Sequence, residues 1–382
     1  MSTATGFLAL SFCDAVWAAE LPAVQVRLGV STAAVDWILF AANAGVVVMP
    51  LAGRCVDRFG GQRVLVAAGA ASGLLWIVPG LAGSLWALGA AMLVLGAAKS
   101  GFLLVAAEAQ ASQRERARGR PLMSYYHTVF SIGTVLGALV GSAVTAAGIT
   151  LPWVLAIVGG GQASMFLAIG AITWRRTVPT APPEAAGPPA ERAERAEQRG
   201  GRGFRPLYLL GLCATIGEVA VTGWSALYLR HELHVPPHVA PYGYAAFALA
   251  MTVGRLCGSA CATRFGSVTV LCASGLLAAC GLAATVLLPT PGLVIVAFGV
   301  AGAGVACVFP LLLSIAAGRA PEQPGRTMAR LVLCTQVGTL ASPLLLGWLV
   351  AQTTIRAALA GPAVAYLVIA LGARTARSAT TR

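Results

Sequence analysis

Charge is what this chain has least of. Asp, Glu, Lys and Arg make up 10% of its 382 residues, where a soluble domain carries about 25%. So little charge cannot coat a soluble globule of this size, and the natural solvent for the chain is lipid. Catalytic signatures are missing too. There is no HExxH, no GxSxG and no P-loop, which excludes the usual metalloprotease, hydrolase and nucleotide-driven pump readings. No CxxC pair occurs among nine cysteines, and Cys257 with Cys261 makes a poor zinc site, so the cysteines read as packing residues and no metal is expected. The N-terminus has no basic stretch, and its first apolar run starts at once and contains Asp14, so no cleavable signal is expected.

What the chain does have is apolar length. Hydrophobic residues are 58% of it, mean hydropathy is +0.80, and 45 glycines allow close helix approach. A spanning helix needs ~20 mostly apolar residues. Such runs place helices 1 to 6 at 5–24, 33–53, 64–82, 86–108, 122–147 and 152–173. Helices 7 to 12 follow at 207–229, 241–264, 268–288, 292–317, 327–350 and 357–373. With the N-terminus inside, 21 of the 26 Lys and Arg fall on the cytoplasmic side and 3 on the other. That split explains the net charge of +13 without nucleic acid and puts both termini in the cytoplasm of a plasma or inner membrane. Trp37, Trp86, Trp153, Trp174 and Trp348 fall near helix ends, where an aromatic belt belongs. The polar stretch between helices 6 and 7, rich in Pro and Ala and then in Ala-Glu-Arg repeats, reads as a cytoplasmic linker with a short helix. The expected organisation is therefore 1–173, a six-helix bundle; 174–206, a linker; and 207–382, a second six-helix bundle.

The two bundles look like repeats. Gly133-Thr134 matches Gly338-Thr339, Arg58-Phe59-Gly60 matches Arg264-Phe265-Gly266, and Trp17-Ala18-Ala19 matches Trp224-Ser225-Ala226, all at nearly one offset. The loop after helix 2 reads Gly53-Arg-Cys-Val-Asp57-Arg58-Phe-Gly60-Gly-Gln-Arg63. This resembles the signature of the major facilitator superfamily between helices 2 and 3. The resemblance implies an all-α membrane protein of 12 transmembrane helices in two pseudo-symmetric halves, acting as a secondary transporter without an organic cofactor. It also implies that Asp57 latches onto the start of helix 11, near Gly325 to Thr327, and favours a cytoplasm-closed state. Thr263 stands where the second copy would carry its acid, so the latch is expected to be one-sided. Two further stretches, Gly119 to Gly133 and Glu218 with Trp224 to Leu229 and Gly243 to Arg255, resemble the rhizopine-permease (MosC-like) group. Gly223 and Ser259 occupy positions where that group leads one to expect acids, and Lys99 and Glu108 stand where neutral amides are expected.

A charge at the bilayer centre costs about 2.5–3.5 kcal/mol on insertion scales, so each calls for a reason. Asp14 and Glu218 lie near the middles of helices 1 and 7, the first helix of each half, with Lys99 and Arg255 in helices 4 and 8. These are either proton-coupling or substrate-contacting groups, or static ion pairs. Arg255 reads as structural, and Lys99 as an anion contact or counter-ion. Thr215, Thr222 and Ser225 share a face with Glu218, and Gln336 and Thr339 lie similarly on helix 11. Glu108 and His127, at the inner ends of helices 4 and 5, form either a pH-responsive pair or a plain interfacial one. His231, His234, His238 and Glu232 read as an exposed external loop. The functional expectation is a transporter of a small organic solute, not an enzyme, proton-driven and monomeric. Export of a drug or natural product, and a non-transporting sensor or scaffold, are the alternatives. Helix 5 lacks the Gly-Pro pair typical of drug–proton antiporters.

Overall fold

The computed structural model describes residues 2–29, 38, 40–174, 189–236, 239–240, 242–320 and 323–373. Helix is the only repeating structure among them, because inside a bilayer only an element that satisfies its own backbone leaves no orphaned N–H or C=O. The helices are α1 (Ser2–Leu28), α2 (described from residue 40, a 3-10 turn Gly45–Val48 leading into Met49–Phe59) and α3 (Gly61–Leu81, interrupted at Trp76). Next come α4 (Leu85–Arg118), α5 (Met123–Ala146), α6 (Leu151–Trp174), α7 (Pro189–His231) and α8 (Tyr242–Phe265). The last are α9 (Ser267–Leu287), α10 (Pro291–Arg319, broken at Ala306 and Cys307), α11 (Pro324–Gln352) and α12 (Ile355–Gly372). Among the described residues 11 helices are long and apolar enough to cross a membrane. The remaining one is α2, whose first residues lie outside the described set.

Three boundaries differ from those read in the sequence. Helix α2 continues past 53 to Phe59, so that Gly53 to Asp57 lie on the helix and not in the loop after it. Helix α4 continues past 108 to Arg118, where Gly119 at φ 62° turns the chain. Helix α7 starts at Pro189 rather than 207. The Ala-Glu-Arg repeats are good helix formers, with Glu191 and Arg195 four residues apart, and they prolong the apolar helix into the linker. Pro206 sits inside α7 at the cost of one backbone bond. The rest of the linker, 175–188, is outside the described residues. Trp86, Trp153 and Trp348 are exposed near helix ends, while Trp37 and the side chain of Trp174 lie outside the description.

The contacts divide the chain into two compact units. The first holds 1–113, 129–201 and 322–329; the second holds 114–128, 202–321 and 330–382. In the first, α5 presses its glycine stripe onto α1. A Cβ on Gly133 would strike Ser11 and Leu8, one on Gly137 would strike Phe12 and Ala15, and one on Gly141 would strike Ala19. In the second, the repeat-equivalent helices pack alike, with Gly338 against Leu212 and Thr215 and the Ser342 hydroxyl donating to the Ile216 carbonyl at 3.1 Å. The same duplication shows at the paired turns. Gly60 and Gly266 have φ of 87° and 83°, and Arg58 and Arg264 each lie 5.3 Å from the ring of the following Phe. Lipid gives two helices no hydrophobic reason to associate, so such backbone contact is what holds each unit together.

Gly137→Val is therefore expected to destabilise the first unit by about 1–3 kcal/mol through overpacking against Phe12. Thermal unfolding in detergent checks this, with Gly160→Val, inside α6 where a Cβ meets nothing and the backbone is helical, expected to lower stability far less.

Candidate functional site

Each unit contains a deep ion pair. In the first, Lys99 Nζ donates to Asp14 Oδ1 at 2.6 Å. Asp14 lies midway along α1, and Lys99, the only lysine in the chain, lies in a π-helical stretch of α4, Ala97–Leu103. Such stretches recur at functional sites because the extra residue re-aims a side chain. The distortion is matched across the helix pair. The 3-10 turn of α2 packs directly on it, since a Cβ on Gly45 would strike the backbone of Gly96 and Ala97, and one on Gly101 would strike Val48. The Lys99 ammonium also lies 5.9 Å from the centre of the Trp76 ring, and Trp76 packs against Trp17 at 6.1 Å. In the second unit, Arg255 on α8 stands 3.8 Å from Glu218 on α7, an ion pair beyond hydrogen-bond length.

The two pairs share an asymmetry. The carboxylates are the exposed partners, Asp14 at 39% and Glu218 at 36%, and the cations are the buried ones, Lys99 at 12% and Arg255 at 13%. Each unit thus offers an accessible carboxylate whose charge is balanced from behind. Such a surface accepts hydrogen bonds and carries no net charge.

The other expected site residues are placed as follows. Thr222 is exposed, but its hydroxyl donates to the Glu218 carbonyl at 2.9 Å. Thr215 is bonded likewise to Gly211 and Thr339 to Thr335. Ser225 is fully buried and its hydroxyl has no hydrogen-bond partner among the described residues. Gln336 is half-buried on α11. Glu108 is buried in the first unit. His127 is buried in the second, its ring edge-on to Phe309 at 5.4 Å. His231 and His234 are exposed, and His238 lies outside the described residues. Two acids escaped the reading of the sequence. Glu20 is buried in the same helix as Asp14, and a strict charge count over helix 1 finds it. Glu115 sits in the last turn of α4, beyond where that helix was expected to end.

Asp57 sits on the start of α11. Its carboxylate accepts the Gly325 N–H at 2.8 Å and the Arg326 N–H at 3.1 Å, with Arg326 Nε 3.7 Å away. These are amides that a helix start leaves unsatisfied, and the dipole there adds roughly 0.3–1 kcal/mol for an anion. Burial pushes the Asp57 carboxyl above the usual carboxylate range, and the two N–H bonds and Arg326 pull it back down. Gly53 is pressed on the same turn, where a Cβ would stand 2.9 Å from both Ala329 and the Gly325 carbonyl. Arg58 and Gly60 form the turn described above, and Arg63 is exposed on the first turn of α3.

The family model described as Major Facilitator Superfamily matches residues 3–208 and 207–380. The chain belongs to that family. It is a multi-pass secondary transporter and not an enzyme. An uncharacterised transporter of Sinorhizobium fredii, y4wD, is 30% identical over 364 residues, covering 92% of this chain and 91% of that protein. The membrane protein MosC of Rhizobium meliloti is 27% identical over 139 residues, 36% of this chain and 34% of that one. Among solved structures, the E. coli fucose:proton symporter FucP superposes with a TM-score of 0.76 at 16% identity, covering 99% of this chain and 98% of that one; at that identity the likeness speaks for the fold alone.

Lys99→Met leaves a carboxylate in the first unit without its counter-charge. It is expected to lower stability by about 1–3 kcal/mol, between the values of exposed and buried pairs. Adding Asp14→Asn is expected to recover most of the loss. A double-mutant cycle on thermal unfolding measures the coupling, and additive losses would mean that the pair contributes nothing.

Proposed function

We propose that this transporter carries a small organic solute rich in hydrogen-bond donors, by alternating access and driven by the proton gradient, from a plasma or inner membrane with both termini cytoplasmic. The observation behind this reading is the shared asymmetry of the two ion pairs. An accessible carboxylate with a buried cation behind it accepts from hydroxyl groups, and a neutral solute leaves the charge balance intact. An anionic solute would meet the exposed carboxylates first and be repelled.

The pairs differ in tightness, and that difference divides the work. Asp14 is held by a charge-assisted hydrogen bond of 2.6 Å, the strong class of such bonds, and serves as a fixed acceptor. Glu218 keeps only a 3.8 Å ion pair, so a proton displaces less there, and it is the group that loads and releases. Proton coupling in FucP, whose fold this chain shares, favours the same energy source. The buried pair partners Lys99 and Arg255 hold the carboxylates in place and keep the site neutral.

The test starts from purified protein and a thermal-stabilisation panel of monosaccharides, primary amines and carboxylates, in which the monosaccharide class is expected to give the stabilising ligands. In proteoliposomes with an imposed pH gradient, Glu218→Gln is expected to cut gradient-driven uptake of a hit at least ~10-fold while leaving counterflow exchange intact, whereas Asp14→Asn weakens binding itself. Full gradient-driven uptake by Glu218→Gln would remove Glu218 from the coupling role.

A further inference from the structure

The start of α5 is repeat-equivalent to the start of α11, which Asp57 grips. The residue equivalent to Asp57 is Thr263, whose hydroxyl is spent on the Ser259 carbonyl at 2.8 Å. The start of α5 is nevertheless gripped by a carboxylate. Glu115 Oε2 accepts the Leu122 N–H at 2.7 Å and the Met123 N–H at 3.1 Å, nearly the distances of Asp57 on Gly325 and Arg326, though through one oxygen where Asp57 uses both. The acid comes from the last turn of α4 instead, and the turn at Gly119 brings it round.

Glu115 does more than cap α5. The same oxygen accepts the Ser314 hydroxyl of α10 at 2.9 Å, and the neighbouring Arg116 donates to the Ala317 carbonyl of α10 at 3.1 Å. Residues 114–128, though drawn from the first half of the sequence, thereby belong to the second compact unit, just as 322–329 belong to the first. We propose that Glu115 is a second gating residue, a counterpart of Asp57 that must release Ser314 each time the cytoplasmic side opens. This rests on the alternating-access reading and adds to it the missing half of the latch.

Two features favour a releasable contact over a permanent one. The Ser314 hydroxyl has the Pro310 carbonyl at 3.1 Å as a second acceptor, so letting go of Glu115 leaves no orphaned donor. Glu115 in turn keeps its two α5 amides after release. The lower part of α10, Val308–Arg319, is already detached from the upper part by the break at Ala306 and Cys307, so it can move without unwinding a continuous helix. What is broken and remade is one charge-assisted hydrogen bond, with the arginine bond beside it.

Hydrogen–deuterium exchange of the full chain in lipid nanodiscs tests the idea without a known substrate. Peptides covering residues 120–126 and 324–330 are followed. Glu115→Gln is expected to speed exchange about tenfold in both peptides, in 120–126 because the cap on α5 is itself weakened and in 324–330 because a weakened latch raises the open population. Ser314→Ala leaves the α5 cap intact and is expected to speed 324–330 about threefold with 120–126 still protected. If neither variant speeds exchange at 324–330, Glu115 is only a cap and the proposal falls. The exchange result is independent of flux. A coupled rise in a protein that shows no proton-driven uptake keeps this inference and removes proton coupling, while normal uptake without the rise removes this inference alone.

Discussion

A bilayer neither pushes helices together nor supplies water to stray polar groups, and everything in this structure follows from those two refusals. Because lipid tails are as apolar as Leu, helices hold one another by contact of their backbones. The glycine stripe of α5 on α1 is the clearest case. Such contact fixes the backbones that carry the side chains. The pairing of Asp14 with Lys99 depends on this: a 3-10 turn in α2 fits a π-helical stretch in α4, and together they fix where the chain's one lysine points.

The second refusal governs charge. A carboxylate at depth must be answered by a cation, a hydrogen bond or a helix start. This chain uses all three. Cations answer Asp14 and Glu218; backbone amides at helix starts answer Asp57 and Glu115. The first kind of answer leaves the carboxylate reachable by a solute. The second kind caps a helix start, and in the case of Asp57 that start comes from the opposite half of the sequence. In the function proposed above, recognition and gating are separated by the chemistry of the compensating partner, even though the same side chain types serve both.

Much of this was legible in the residues. The apolar runs located the helices, and Gly53 to Arg63 pointed to a contact between Asp57 and the first turn of helix 11. The repeated Arg-Phe-Gly turns proved equivalent down to their backbone angles. Other features were not legible, for physical reasons. Two acids and two bases can pair in more than one way, and depth alone does not choose between them. Ser225 shared a helical face with Glu218 yet is buried by neighbours that no periodicity reveals. Thr263 did not point to the bonds that Glu115 makes at the start of α5, because the duplication predicts where an acid is needed and not which helix will supply it. The helical extension of α7 hid inside a stretch whose composition reads as linker.

That extension sets a mechanical condition. At 1.5 Å per residue, the 43 residues of α7 span about 65 Å, roughly twice the hydrocarbon thickness. Glu218 rides on the apolar part of this helix, and Pro206 stands where the charged repeats have given way to it. One continuous run of helix therefore joins a deep carboxylate to a segment too charged to enter hydrocarbon, so the length of α7 in excess of the bilayer must lie outside it.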